Sequence, residues 1–208
     1  MRLAVLGATG RVGGEIVRMA LQDGHKVTAL VRTPRTPSKL EEHNHLAILQ
    51  GNALSIEDVE QTIIDADIVI SALNANGTTT LSESIPHIIL SMKKHDIKRI
   101  VTIGTAGILD SRIESGKFRF QTSESKQKKT FAAEEHAKIF QMLKKSDLDW
   151  TIVCPTYLPD GEETGKYRIE KNQLPLNGQK ITVGDTARFA YEECFKKQFL
   201  QTRVGIAY

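Results

Sequence analysis

Cysteine is scarce: the 208 residues include only Cys154 and Cys194, each in a segment that reads as buried core, the first in a strand and the second on a helix. Two such thiols supply no disulfide framework. Neither has a Cys or His neighbour at ligand spacing, so no metal site is expected. No apolar run approaches the ~20 residues of a bilayer span, which removes support for a membrane role. The opening Met1-Arg2-Leu3-Ala4-Val5-Leu6-Gly7 runs into a strand rather than a signal peptide, and the expected compartment is the cytoplasm. Charge of one sign is also lacking: a formal +3 from 28 basic and 25 acidic side chains gives no basic stripe for nucleic acid. The densest basic run, Lys126-Gln127-Lys128-Lys129, reads as a solvated surface segment. With 40% hydrophobic and 25% charged residues, the composition is that of a globular protein. A chain of this length can bury about 70% of its unfolded surface in one domain.

Short β-branched runs alternate with segments of helical periodicity, the pattern that βαβ units and a parallel sheet produce. Strands are expected near 2–6, 26–31, 46–50, 67–72, 98–103 and 150–154, and helices near 11–23, 55–65, 82–95 and 129–146. A final helix near 185–197 and a strand near 204–207 close the chain. Right-handed crossovers then make the simplest fold a single α/β domain spanning 1–208. It is a doubly wound, parallel Rossmann-type sheet of order 3-2-1-4-5-6 with helices on both faces. Residues 104–128 and 155–180 break the rhythm, and both follow strands. They are expected as loops at the carboxyl edge, where ligand contacts gather.

Gly7-Ala8-Thr9-Gly10-Arg11-Val12-Gly13 follows the first strand and opens the first helix. In that context Gly7 permits the tight turn, Gly10 admits a pyrophosphate to the backbone, and Gly13 lets helix and strand pack closely. The loop, with Thr9, Arg11 and Val12, is expected to bind a dinucleotide on the helix dipole. The second strand ends in Arg32 where an NAD site would place a carboxylate, and a cation there suits a 2′-phosphate. NADP(H) is therefore the expected cofactor, with Arg11, Thr33 and Arg35 supporting Arg32. Asn52, in Gly51-Asn52-Ala53, falls where an adenine amino group would lie. Ala72-Leu73-Asn74, after the fourth strand, should pass beside the ribose and pyrophosphate on the nicotinamide side.

Together with Ala29-Leu30-Val31-Arg32, the run Lys98 to Gly107 and Leu148 to Pro155, the glycine loop resembles the atypical short-chain dehydrogenase/reductases, in particular the NmrA-like NAD(P)-binding group. Within that group, Glu134-Glu135-His136, Pro155-Thr156-Tyr157-Leu158 and Thr164-Gly165-Lys166-Tyr167 look like segments of biliverdin-IXβ/flavin reductases. The resemblance spans nearly the whole chain. It implies an NADPH-dependent fold with a shallow site over the nicotinamide, to which Thr105, His136 and Pro155 would contribute. The wider family's Tyr-x-x-x-Lys pair would fall on Ala132 and His136 and is absent, which weakens reactions such as nucleotide-sugar epimerisation. The group's active-site serine maps to Thr105 and its histidine to Tyr157.

Thr105 can hydrogen-bond an acceptor carbonyl or merely satisfy backbone, and Tyr157 can stack on a flat substrate or donate a proton. His136 is the titratable group on the helix expected to line the cofactor, suited to a ribose or water contact. The other five histidines read as surface residues, and Asp110, Glu124, Glu134 and Glu135 form no paired-carboxylate arrangement. Two functions follow as expectations. One is a reductase passing hydride from NADPH to a small-molecule acceptor such as a flavin, quinone or biliverdin. The other is a non-catalytic NADP(H)-binding redox sensor acting through a protein partner. A monomer or weak dimer is expected.

Overall fold

Strand β1 (Arg2–Leu6) is buried from Leu3 onward, so it needs cover on both faces and neighbours on both edges. It finds them in β2 (Lys26–Val31) and β4 (Ile68–Ser71), both parallel, with Leu3 opposite Val27 on one side and Ile68 on the other. The computed structural model describes residues 1–33, 43–125 and 129–208. Its single 8-stranded sheet runs β3-β2-β1-β4-β5-β6-β8-β7, where β3 is Leu46–Gln50, β5 Arg99–Ile103, β6 Asp149–Pro155, β7 Arg168–Lys171 and β8 Thr202–Ala207. The expected order 3-2-1-4-5-6 is thus present, extended by β8, parallel to β6, and by β7, antiparallel to β8.

β7 corrects the reading of 155–180 as loop. Its Arg-Ile-Glu-Lys sequence is mostly exposed and carries no apolar alternation strong enough to mark a strand. Edge position and charge go together, because charged side chains deter further strand pairing.

The helices lie on both faces. α1 (Arg11–Gln22) and α5 (Val183–Lys196) pack together over one face, with Ile16, Val17, Ala20, Ala187 and Ala190 in the core. α2 (Ile56–Ile63), α3 (Thr80–Lys94) and α4 (Phe131–Lys144) cover the other, burying Val59, Ile63, Ile85, Ile88, Met92, Ile139 and Leu143. Fully burying each such aliphatic side chain is worth about 1.5–3 kcal/mol. Cys154 and Cys194 are buried free thiols, as expected, and burial pushes both up to about 12. No helix among the described residues is long and apolar enough to cross a membrane.

The helix starts differ in a way that bears on the site. Ser55 caps α2 by accepting from Asp58 N at 3.1 Å, and Thr182 caps α5 by accepting from Asp185 N at 3.2 Å. Glu135 reaches from α4 to accept from Ser82 N in the first turn of α3 at 3.1 Å. Gly10 opens α1 with no side chain to offer.

Candidate functional site

Strand order reverses between β2 and β4, on either side of β1, and a crevice opens there at the carboxyl ends. It holds a cavity of about 210 Å³. Gly7, Thr9, Gly10, Arg32, Asn52, Ala53, Ala72, Leu73 and Asn74 all line it, so residues from the ends of four strands meet as the sequence suggested.

The glycines divide the work geometrically. Gly7 has φ +84°, and a Cβ there would lie 2.5 Å from Ala72 O. A Cβ on Gly13 would sit 2.9 Å from the Gly7 carbonyl carbon and closer still to its oxygen. Those two are packing positions. On Gly10 the nearest wall is 3.2 Å away, at Gly7 O, and the residue lines the cavity. With Gly10 extended at φ −74° and ψ 166° and no capping side chain, the opening N–H groups of α1 are left for an anion. A cradle that a side chain at Gly10 would crowd fits the pyrophosphate of a dinucleotide.

Among the described residues, Arg32 is the one charged residue lining this cavity and has no carboxylate partner. Thr33 follows it, exposed; Arg35 lies outside the described residues, as does Lys126-Gln127-Lys128 of the basic run. Asn52 is locked by its surroundings: its N–H donates to Asp58 Oδ2 at 2.7 Å and its Oδ1 accepts from Leu54 N at 3.1 Å. The free side-chain group is therefore chiefly the amide NH₂, a donor suited to a ring nitrogen of adenine more than to its amino group.

Arg11 departs from expectation. Its guanidinium does not line the cavity with Arg32 but donates to Leu158 O and Asp160 Oδ1, both at 2.9 Å. As the first residue of the helix it projects toward the segment after β6, where a backbone carbonyl and a carboxylate both receive it. Val12 is buried in the core on the α1 and α5 face of the sheet, and its side chain does not line the cavity.

The acceptor-side residues lie apart from the cavity. Ile103 pairs with Val153, which sets Thr105, just past the end of β5, alongside Pro155, the last residue of β6. Thr105 Oγ1 accepts from Gly107 N at 3.4 Å, which leaves its O–H free to donate. Tyr157 stands 70% exposed. His136 is on α4 with only 8% of its surface exposed and does not line the cavity. Burial lowers its pKa to about 4 despite the opposing pull of Glu135, so the imidazole is neutral at pH 7.

Several other side chains behave differently from a sequence reading. His43 and His45 are exposed as expected, but His25 packs on Phe195 at 5.0 Å and His95 bonds Glu60 at 3.0 Å. His25, His87 and His95 are only partly exposed; aromatic rings of α5 cover His25 and Glu60 of α2 faces His95. The four carboxylates do local work: Asp110 pairs Arg203, Glu124 accepts from Ser111 and Arg112, Glu134 from Thr130, and Glu135 from Ser82 and Lys138. Leu30, Gly51, Asn76, Thr78 and Thr80 also line the cavity and were not anticipated. The readable signal was Asn76-Gly77, both at positive φ, a turn that delivers the threonines to the start of α3.

Among known proteins, YwnB of Bacillus subtilis (strain 168) is 29% identical over 187 residues, 86% of this chain and 84% of that one. A protein from Streptococcus pneumoniae TIGR4 described as a candidate NADH-flavin reductase superposes with a TM-score of 0.84 at 25% identity, covering 100% of this chain and 99% of that one. One from Bacteroides thetaiotaomicron described as a candidate epimerase gives 0.85 at 27% identity, covering 100% and 96%. The sequence profile of the NAD(P)H-binding family matches residues 7–197, the glycine loop through the end of α5, and the chain belongs to that family.

Proposed function

We propose that this protein is an NADPH-dependent reductase acting on a small flat acceptor such as a flavin, a quinone or a biliverdin. The observation that carries the choice of NADPH is Arg32, the single charge lining the cavity among the described residues, at the end of β2 where a 2′-phosphate would pair with it. When bound, the cofactor supplies hydride from its nicotinamide ring. The first turn of α1 holds the pyrophosphate, Asn52 and Ala53 bound the adenine end, and Ala72 to Asn74 with Thr78 and Thr80 border the middle.

Thr105 donates its hydroxyl to an acceptor carbonyl, and Pro155 and Tyr157 border the other side. The Tyr-x-x-x-Lys pair is missing at Ala132 and His136, where the family would place it, and His136 is buried and neutral, so an acceptor that takes its proton from water or from the Tyr157 hydroxyl suits this site best. The same absence argues against an epimerase reaction through that pair. Catalysis then rests on placing the acceptor about 3–3.5 Å from the hydride donor rather than on acid–base chemistry. Turnover of NADPH against a panel of flavins, quinones and biliverdins tests the reading. Thr105→Ala and Tyr157→Phe should lower kcat with NADPH affinity held; normal turnover in both variants removes them from the site.

The sensor reading has one observation of its own, the Arg11 tie between α1 and the segment at Leu158–Asp160, which could relay cofactor state to a surface. Hydrogen exchange with NADP⁺ and NADPH separates the two. A reductase predicts equal protection by both forms, whereas protection of 155–180 by one form alone, with an inert acceptor panel, favours the sensor.

A further inference from the structure

We propose that Asn76 is a self-modifying site: its side-chain amide is lost to attack by the Gly77 backbone nitrogen, and the carboxylate left behind faces the cofactor cavity and weakens the hold on NADP(H). The inference takes from the preceding reading only that the dinucleotide occupies this cavity. The sequence contains two Asn-Gly pairs, Asn76-Gly77 and Asn177-Gly178, and in each the glycine has no side chain to shield its nitrogen from the neighbouring carboxamide. The fold treats the two pairs differently.

At the first pair, nucleophile and target are both unengaged. Asn76 and Gly77 sit at φ 46° and 75° in a tight turn closed by Thr78 N, which donates to Ala75 O at 2.7 Å. Such a turn uses the N–H of its last residue and leaves the one before it free. Among the described residues neither the Gly77 N–H nor the Asn76 carboxamide has a hydrogen-bond partner. Both residues are exposed, and a Cβ on Gly77 would meet nothing within 4 Å. At the second pair, the Gly178 N–H donates to Pro175 O at 2.9 Å, and a Cβ there would lie 2.5 Å from Ala207 Cβ. The nitrogen that would have to attack is bonded and walled in.

The only co-reactant is water. Gly77 N gives up its proton to solvent and bonds to Asn76 Cγ; the Cγ–Nδ2 bond breaks, and Nδ2 takes up a proton and leaves as ammonia. Water then opens the succinimide at one of its two carbonyls, giving aspartate with the main chain restored, or isoaspartate with the main chain routed through Cγ. Nothing is oxidised or reduced. Either product sets a negative charge on the cavity lining, where Asn76 stands with Gly10, Thr78, Thr80 and Arg32. Arg32 is the one cation there among the described residues, and the ligand carries several negative charges, so an added carboxylate opposes binding. The fold itself tolerates the change, because the new charge lies shortly before the first residue of α3, the end of a helix that favours an anion.

The test is ageing of the full chain, free of ligand, in mildly alkaline buffer. At intervals its peptides are mapped by mass and its NADPH affinity is measured by calorimetry. Conversion at Asn76 should run about tenfold or more ahead of Asn177, the order of the one amide hydrogen bond that Gly178 must first give up. NADPH affinity should fall with it, to about tenfold weaker, while the melting temperature holds. Asn76→Asp should show that loss without ageing, and Asn76→Gln, whose longer side chain closes a ring far less readily, should keep whatever affinity it starts with. Saturating NADP⁺ should slow conversion at Asn76 alone. Asn76 that stays intact, or converts no faster than Asn177, overturns the inference. So does an affinity that stays constant while Asn76 converts, or that falls equally in Asn76→Gln. Selective conversion with falling affinity, alongside an inert acceptor panel, supports this inference and removes the reductase reading.

Discussion

Replacing Gly13 or Gly10 with alanine adds the same methyl group, yet the two changes should act on different properties. In a helix interior, alanine is preferred over glycine by about 1 kcal/mol, so propensity alone favours Gly13→Ala. Its methyl would overlap the Gly7 carbonyl, with the carbon only 2.9 Å away, and no rotamer can relieve a clash with backbone. Overpacking of this kind costs about 1–3 kcal/mol, and the rigid neighbour puts it at the upper end, about 3. The net loss of about 2 kcal/mol corresponds to a fall in Tm of about 4–8 °C for a chain of this length. Gly10→Ala meets nothing nearer than 3.2 Å, its φ of −74° suits alanine, and loss of the glycine cap costs only a few tenths to about 1 kcal/mol. Its methyl enters the cavity instead and holds an anion off the N–H groups of α1. Losing one hydrogen bond to a charged group costs about 1.5–3 kcal/mol, or roughly tenfold to a hundredfold in NADPH affinity. Thermal unfolding without ligand and calorimetric titration with NADPH measure the two effects separately. The geometry is refuted if Gly10→Ala unfolds as early as Gly13→Ala, or if it binds NADPH as well as the unaltered protein.

Arg32→Ser should weaken NADPH about tenfold and leave NADH affinity unchanged, because only the 2′-phosphate is addressed by that charge; equal losses for both cofactors in titration calorimetry would contradict the assignment. His136 gives a pH signature. Its folded pKa of about 4 lies below the unfolded value near 6.5, so the unfolded chain binds the extra proton between those values and stability falls as pH drops from about 6.5 toward 4. Denaturation at several pH values should show that slope flatten in His136→Gln, and an unchanged slope would mean the imidazole is not held neutral. Asp185 contributes in the same sense at lower pH. Burial would raise its carboxyl, but hydrogen bonds from Tyr208, Gly165 and Thr164 outweigh that and hold it low, so Asp185→Asn should reduce the further loss of stability as the medium grows more acid.

The sheet centre was legible because β1, β4, β5 and β6 are covered on both faces, and that environment leaves an unbroken apolar stretch between glycine and helix signals. β7 left no such trace: an edge strand of four mostly exposed residues is set by its partner β8, which no local pattern reports. The cofactor half of the site was readable because a backbone turn makes it and glycine spacing encodes the turn. Side-chain direction was not. Arg11 sits in the loop pattern but answers to Leu158 and Asp160, residues about 150 positions away in the chain. Thr78 and Thr80 reach the cavity through an Asn-Gly turn whose destination depends on how α3 docks.

Arg11 also limits how this protein can diverge. Its backbone belongs to the turn that opens α1, while its side chain holds the segment leading from Pro155 through Tyr157 to Asp160. One residue therefore serves two neighbourhoods, and a substitution made to alter one is felt in the other. Arg32, which has no carboxylate partner among the described residues, is under no such double demand. Cofactor preference is free to drift through position 32 while the far side stays intact, whereas descendants that change position 11 must remake the contacts at Leu158 and Asp160 at the same time.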